Sequence, residues 1–382
     1  MNHRPDETGE TFSSNAVRLS IGEWCVLLSV LVLAAFSVGG LWRRVEGFEP
    51  SRDYRIPYAL SEDYWFFQRY CDSMGRANRT LVFGDSFIWG QYVPKEESLT
   101  HYLNQEAGSE RFVNAGLDGA HPLAMEGLLE HYCGEMRDGE VILHLNLLWL
   151  TSPQADLQTE REFNFNHPRL VPQFSPRIPA YGEAFSGRVG VVLTRQLPIF
   201  DWIRHLQESY FGSVDLARWT LDHPYANPLR QVTLTLPASE DDLHPDAQPW
   251  SARGQGQQEL PWVSLESSLQ WQAFRRSVEL LRARGNRVLI VPGPLNEHML
   301  SPSNAEMYLK LREDATAWLR ENGSTVILPP LLPSHLYADL SHPFSGGYAL
   351  LAQEIWRQME ESPPRPAQEP ARPMLAGLSG PG

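Results

Sequence analysis

Three residues of this 382-residue sequence are of the types that cooperate in nucleophilic catalysis. Ser86 follows Gly84 and Asp85 after the apolar run TLVF, which is typical of a buried strand, so its hydroxyl is expected at the carboxyl edge of a sheet. Asp339 and His342 stand three residues apart, in a loop that leads into a helix. A carboxylate at this spacing can orient an imidazole, and an oriented imidazole can take the proton of a serine hydroxyl.

Either motif alone has an ordinary structural explanation. An Asp-Ser pair is a common helix N-cap, so Gly84-Asp85-Ser86 by itself favours a cap over a catalytic turn. Asp339 beside His342 by itself slightly favours a surface turn. The two motifs become more specific because they occur together, one after the first core strand and the other before the last helix.

In this combination the two motifs resemble those of the SGNH/GDSL hydrolase family. The resemblance spans most of residues 80–358, because Gly119 in VNAGLDG matches the family's block-two glycine and Asn146 in VILHLNLLWL falls at the block-three asparagine. The resemblance implies a catalytic triad of Ser86, Asp339 and His342. It also implies an oxyanion hole formed by Ser86, Gly119 and Asn146, with no metal or organic cofactor.

Block three departs from the family pattern. It reads His144-Leu-Asn146-Leu, where the family usually has Gly-x-Asn-Asp. His144 lies inside an apolar run, so a hydrogen-bonded core histidine is its expected role. Asn296, Glu297 and His298 follow the next predicted strand and reach the same edge of the sheet. They are candidates for substrate contact, with solvated loop residues as the alternative.

The order of apolar runs predicts an α/β fold. Strands alternate with helices, which is the pattern of a parallel sheet covered on both faces. We expect a three-layer sandwich with a central parallel sheet of about five strands, as in SGNH and flavodoxin-like folds. The run 140–150 is predicted to form one buried strand. After it the alternation fails, and residues 151–265 are predicted to form an insertion with some helices and a long loop.

The N-terminal region predicts a membrane anchor. Residues 1–20 form a polar tail, and 21–43 contain about 19 uncharged residues from Trp24 to Trp42, enough for one helical crossing of a bilayer. A cleaved signal peptide and a buried core helix are the alternatives. Residues 44–75 are expected to form a stalk, 76–360 an SGNH-like domain, and 361–382 a disordered tail rich in proline and glycine.

The orientation of this anchor is open, because arginines lie on both sides of it. Arg43, Arg44, Arg52 and Arg55 follow the helix, and by the positive-inside rule they would keep the main domain in the cytoplasm. A short N-terminal anchor commonly acts as an uncleaved signal. We therefore expect a single-pass protein whose domain is extracytoplasmic, either periplasmic or at the cell surface.

The composition limits the classes of partner. A formal net charge of -14 argues against nucleic acid, whose phosphates require clustered lysine and arginine. The three cysteines show no metal-binding spacing and are too few for a disulfide scaffold. Cys71 and Cys133 are expected to be buried thiols, with a bridge as the alternative in an oxidising compartment.

Three functions are compatible with these patterns. The first is a serine esterase that acts on acyl esters of envelope carbohydrate or lipid. The second is an O-acyltransferase that modifies a cell-envelope polysaccharide, and the single N-terminal helix is similar in architecture to that of the D-alanyl-lipoteichoic acid biosynthesis proteins. The third is a non-catalytic scaffold, which only the altered block three favours.

Overall fold

A parallel sheet forms the centre of the fold in the computed structural model, which describes residues 19–77, 79–238, 244, 246–254 and 256–361. Its five strands are β1 (Thr80–Gly84), β2 (Phe112–Gly116), β3 (Glu140–Leu145), β4 (Arg287–Pro292) and β5 (Thr325–Val326). They lie in the order β2-β1-β3-β4-β5, and each neighbouring pair is parallel. The predicted α/β class and parallel sheet are confirmed.

Eleven α-helices lie in the described part of the chain. They are α1 (Ile21–Val45), α2 (Tyr64–Arg76), α3 (Ser86–Trp89), α4 (Leu99–Glu106), α5 (Pro122–Tyr132), α6 (Phe185–Gln196), α7 (Pro198–Tyr210), α8 (Leu216–Asp222), α9 (Leu269–Ala283), α10 (Pro302–Glu321) and α11 (Ser345–Glu361). Short 3-10 helices also occur, including Leu147–Leu150 and Glu297–Met299.

Helices pack on both faces of the sheet, because successive side chains of each strand point to opposite sides. On β1, Leu81 and Phe83 join one apolar core, and Val82 joins the other. The first core also contains side chains of α2, α5, α9 and α10, and the second contains those of α3, α4 and α11. A parallel sheet requires this cover, since both of its faces are apolar.

The carboxyl ends of the strands meet at one edge of the sheet. Gly84 pairs in register with Gly116, and Leu145 pairs with Pro292. The loops that follow β1, β2, β3 and β4 therefore share this edge. Ligands of open α/β sheets bind outside this edge, which makes it the place where a site is expected.

Residues 44–75, expected to form a stalk, pack against the sheet instead. Ile56 and Leu60 lie in the first core, and the buried Arg55 guanidinium donates to the carbonyl oxygens of Trp89 and Gly90 at 3.2 and 2.8 Å. The segment is therefore part of the folded body. Cys71, on α2 within it, is a buried free thiol, as is Cys133.

The region between β3 and β4 contains helices but no strand among its described residues. It holds α6, α7, α8 and α9, and its earlier part, with Val171 and Ile178, forms a third small apolar cluster with Leu123 of α5. Residues 151–265, predicted to form an insertion, contain α6, α7 and α8 of this region. Residues 239–243, 245 and 255 of that stretch lie outside the described residues.

Helix α1 is long and apolar enough to cross a membrane. It begins with a capping box in which the Ser20 side chain accepts from the Glu23 N–H and the Glu23 carboxylate accepts from the Ser20 N–H. Gly39 is buried against the folded body, whereas the first half of the helix is exposed. The predicted N-terminal tail, up to residue 18, and the predicted disordered tail from residue 362 lie outside the described residues.

Candidate active site

Ser86 is positioned by a tight turn between β1 and α3. The Asp85 carboxylate caps α3 by accepting from the Phe87 N–H at 3.1 Å, and the helix ends after four residues at Gly90, which has a φ of 93°. A Cβ on Gly116 would lie 2.3 Å from the Trp89 nitrogen, so α3 lies directly against the end of β2. The turn thus holds Ser86, partly exposed, at the carboxyl edge of the sheet.

The structure brings Ser86, His342 and Asp339 into one hydrogen-bonded chain. The Ser86 Oγ lies 2.8 Å from His342 Nε2, across a separation of 256 residues in sequence. His342 Nδ1 lies 2.9 Å from both carboxylate oxygens of Asp339. Serine, imidazole and carboxylate are thereby arranged in the order in which an imidazole can accept a proton from the serine and be stabilised by the acid.

The loop that carries the acid is ordered by its own backbone. Asp339 Oδ1 accepts from the N–H groups of Ser341 and His342, both at 2.9 Å. Burial acts to raise the pKa of Asp339, but these hydrogen bonds and the neighbouring His342 lower it to about 2. The carboxylate is therefore ionised at neutral pH.

The charge of Asp339 determines the basicity of His342. Burial acts to lower the pKa of His342, whereas the hydrogen bond and charge of Asp339, together with the charges of Asp85 and Asp118, raise it above its ordinary value. The side chain of His342 is 12% exposed. This imidazole combines limited solvent contact with a raised pKa, which suits a group that accepts a proton from a poorly acidic hydroxyl.

Two main-chain N–H groups that follow β1 and β2 have no hydrogen-bond acceptor among the described residues. The N–H groups of Ser86 and Gly119 donate to no other group among the described residues. Gly119 follows β2 and has a φ of 65°, a left-handed conformation that favours glycine. Both residues thus retain the donors that an oxyanion hole requires.

Asn146, expected to be a donor of the oxyanion hole, uses one amide hydrogen to bind Asp85. Its side-chain N–H donates to Asp85 Oδ2 at 2.7 Å, and its side-chain oxygen accepts from the Leu148 N–H at 3.0 Å. The second hydrogen of its amide nitrogen has no acceptor among the described residues. Asn146 is therefore fixed beside the serine turn with one donor available.

Asp85 connects the serine turn to β3 and the segment after it. Its Oδ2 accepts from Asn146 and from the indole N–H of Trp149, the latter at 2.9 Å. The ring of His144 stacks on Phe87 with centroids 4.3 Å apart, and its Nδ1 lies 3.5 Å from Asp85 Oδ1. Burial acts to raise the pKa of Asp85, but these polar neighbours lower it to about 2. His144 is thus a buried polar residue that supports the site.

Asn296, Glu297 and His298 make structural contacts around the Asp339 loop. Asn296 is fully buried, and its side-chain N–H donates to the main-chain oxygen of Asp339 at 3.0 Å. Glu297 lies 3.5 Å from Arg312, and His298 Nε2 lies 3.0 Å from the Leu332 oxygen. All three side chains therefore make contacts within the protein.

Two residues near the site have no sequence signal that could have identified them. The Tyr92 ring lies 5.5 Å from the His342 ring, and burial together with the Asp339 carboxylate raises the pKa of its hydroxyl. Trp149 approaches through its hydrogen bond to Asp85. Tyr92 lies outside the sequence motifs and Trp149 lies in the apolar run 140–150, and both reach the site because of how the chain folds.

Comparison of the chain with protein-family models and with curated proteins gives no match. In the described part of the chain, no group of three or more His, Cys, Asp or Glu side chains could hold a metal ion. The geometry of the side chains around Ser86 is therefore the basis for assigning a function.

Proposed function

We propose that this protein is a membrane-anchored serine esterase of the SGNH type, with the three-layer sandwich of that class. Its substrates in this proposal are acyl esters of envelope carbohydrate or lipid. One observation carries the proposal, the continuous hydrogen-bonded chain from Ser86 through His342 to Asp339 at 2.8 and 2.9 Å.

In the proposed reaction, His342 Nε2 accepts the Ser86 proton while the serine oxygen attacks the ester carbonyl carbon. Asp339 stabilises the imidazolium that forms. The negative charge on the former carbonyl oxygen is met by the N–H groups of Ser86 and Gly119 and by the free amide hydrogen of Asn146. Collapse of this intermediate breaks the ester C–O bond, and His342 returns its proton to the leaving alcohol.

The second half of the reaction releases the acyl group. Water attacks the acyl-serine carbon, and His342 accepts the proton that the water loses. The second tetrahedral intermediate then collapses to a carboxylic acid and free Ser86, which regains its proton from His342. No group outside the chain is required for the proton balance of either half.

The location assigned to this activity depends on α1. We propose that α1 is retained as a single membrane anchor with the catalytic body on the extracytoplasmic side. Its length and apolar character support the anchor. Envelope carbohydrate and lipid are the acyl carriers within reach of a body held at that surface.

The test is covalent labelling of the full-length protein in detergent by a fluorophosphonate probe, which reacts with activated serines. Wild type is expected to be labelled, and Ser86→Ala and His342→Ala are expected to lose labelling. The matched controls are Ser109→Ala and His335→Ala, which replace exposed residues of the same types outside the site and should retain labelling.

The outcomes separate the candidate functions. Labelling that requires Ser86 and His342, followed by hydrolysis of acetyl esters in water, would support the esterase. The same labelling with transfer to an added glycan and little hydrolysis would identify an O-acyltransferase. A folded wild-type protein that is not labelled would contradict both enzymes and leave the scaffold.

A further inference from the structure

The apolar helix α1 does not leave the folded body at its end. Its residues up to Leu33 are exposed on all sides, whereas Ala34, Ala35, Val38 and Gly39 are partly or fully buried on one face. The insertion therefore packs beside the second half of the apolar segment. Only the first half is free of contact with the protein.

The apolar segment is too short to leave that second half outside a bilayer. About 19 residues from Trp24 to Trp42 span about 28 Å of helix, close to the thickness of the hydrocarbon core. If α1 crosses the membrane, the whole segment is needed. Any side chains that pack beside Ala34–Trp42 must then lie within one leaflet or at its surface.

Helix α7 lies in this position together with Trp65 of α2, whose Nε1 would lie 3.3 Å from a Cβ on Gly39, and α7 runs in the same direction as α1. The Trp202 ring lies 5.6 Å from the Trp42 ring, and a Cβ on Gly39 would lie 3.8 Å from the Trp202 Cβ. Further along both helices, His205 and Tyr210 contact Glu46, just after α1 ends. The first residues of α7 therefore lie nearer the N-terminal end of α1 than its later residues do.

The corner between α6 and α7 is the part of the insertion beside Gly39, and it carries exposed apolar side chains. Leu193 is 48% exposed, Phe200 41% and Ile203 38%. Pro198, at the corner, lines the same groove as Gly39 of α1. These apolar groups are exposed on the corner that packs beside α1, the helix that lipid surrounds in the proposed anchor.

The two charged residues of the corner are directed toward the protein. The Arg195 guanidinium donates to the main-chain oxygens of Arg169 and Val171. The Asp201 carboxylate accepts from the Tyr132 hydroxyl at 3.2 Å. The surface presented outward by the corner is therefore free of the charges that would oppose insertion into lipid.

We propose that the α6–α7 corner, residues 193–203, is a second membrane-inserted element whose partner is the lipid bilayer. It lies in one leaflet beside α1, and its exposed apolar side chains contact acyl chains. This inference rests on the proposed anchoring role of α1. It adds a monotopic contact that would seat the body on the membrane surface.

The test is depth-dependent fluorescence quenching of the full-length protein in phosphatidylcholine vesicles. Phe200→Cys, Leu31→Cys and Leu350→Cys, each in a Cys25→Ser background, carry an environment-sensitive fluorophore on the introduced cysteine, while Cys71 and Cys133 are buried. Leu31 is the anchor control. Leu350 is the matched surface control, because it is 43% exposed on α11, at the opposite face of the sheet. The vesicles contain lipids with a nitroxide on the acyl chain.

We expect strong quenching and blue-shifted emission at positions 31 and 200, and neither at position 350. Quenching at 31 without quenching at 200 would overturn the inserted corner while leaving the anchor intact. A blue shift at 200 without lipid quenching would assign the corner to a protein partner and also overturn it. Loss of quenching at both 31 and 200 would refute the anchor itself, and the inserted corner with it.

Discussion

The pKa of His342 links the residue-scale geometry to a measurable property. Asp339 holds the imidazole through Nδ1 and raises its pKa above the ordinary value, in opposition to burial. A general base must be neutral to accept a proton, so the protonated form is inactive. Reaction at Ser86 should therefore require a pH above the raised pKa.

The first prediction is a pH profile of the labelling rate. The wild-type rate should rise with pH through a midpoint above the ordinary histidine pKa of about 6.5. In Asp339→Asn the midpoint should move down, because burial then acts without the compensating charge. The plateau rate should fall by about 10⁴-fold, the effect of losing the correct tautomer in a triad of this type.

Asp314→Asn is the control for this profile, since it removes an exposed carboxylate on α10 away from the site. It should leave both the midpoint and the plateau unchanged. A midpoint that does not move in Asp339→Asn would show that Asp339 is not what sets the basicity of His342.

At the scale of elements, the serine turn depends on the close approach of α3 to β2. A Cβ on Gly116 would meet the main-chain nitrogen of Trp89 at 2.3 Å and the carbonyl carbon of Ile88 at 2.8 Å. Backbone atoms cannot move aside as a flexible side chain can. A side chain at position 116 must therefore displace α3, and with it Ser86.

The second prediction follows from this contact. Gly116→Ala should lower the free energy of unfolding by about 1–3 kcal/mol, the usual cost of overpacking a core. It should also slow fluorophosphonate labelling in the fraction that remains folded. Both effects are measured on one preparation, by thermal unfolding and by labelling at a temperature well below the transition.

Gly75→Ala is the matched control, because a Cβ at this α2 position meets nothing within 4 Å. It should label at the wild-type rate and be slightly more stable, since alanine favours a helix over glycine by up to about 1 kcal/mol. Wild-type labelling by folded Gly116→Ala would contradict the role of this contact in positioning Ser86.

The sequence patterns predicted which helices and strands occur better than they predicted the residues at which these elements end. Gly84-Asp85-Ser86 marked the β1–α3 turn, because a strand that ends in glycine before a capping residue has a local signature. The run 140–150 was predicted as one strand, but β3 ends at Leu145 and residues 147–150 form a 3-10 helix. A continuous apolar run has no periodicity to show this change, which depends on the side chain of Asn146 accepting from Leu148.

The parts of the site that depend on tertiary packing were not predictable. Ser86, Asp339 and His342 were found because their types and order are informative. Asn146 was placed at the correct turn, but its hydrogen bond to Asp85 has no sequence signal. Tyr92 is one of many aromatic loop residues, and only the fold brings its ring to His342.

At the scale of the whole molecule, a buried ionic cluster joins the end of α1 to the body. His205 is fully buried between Asp63 at 2.7 Å and Glu46 at 2.9 Å. Arg69 pairs with the second oxygen of Glu46 at 2.5 Å, and the Tyr210 hydroxyl donates to its first oxygen at 2.6 Å. Breaking such a buried group by removing one partner is strongly destabilising.

The third prediction concerns the pH dependence of stability. Burial acts to lower the pKa of His205, but Asp63 and Glu46 raise it to about 9. A raised folded-state pKa stabilises the fold fully below the unfolded-state pKa of about 6.5 and loses this effect as pH rises through the folded-state value. The wild-type protein should therefore lose stability between about pH 7 and pH 10, by on the order of 3 kcal/mol.

The measurement is thermal unfolding of full-length wild type and His205→Gln in detergent across this pH range. The variant should be less stable than wild type near neutral pH, and the difference should narrow as the pH rises past 9. His335→Ala, which replaces an exposed histidine, should follow wild type. A constant difference between wild type and His205→Gln at all pH values would show that the charge of His205 does not contribute.

This cluster also fixes the position of Ser86 relative to α1. If a flexible stalk joined the body to α1, Ser86 could occupy any position within the length of that stalk. Here Glu46 follows α1 directly and is hydrogen-bonded to His205 and Arg69, so no flexible segment separates α1 from the body. If α1 spans a bilayer, the Ser86 hydroxyl would then stay at a constant distance from the membrane surface. The distance of an ester group from the membrane would therefore contribute to substrate selectivity. An ester held at the distance of Ser86 would meet it at high effective concentration, whereas an ester held further from the membrane would not reach it.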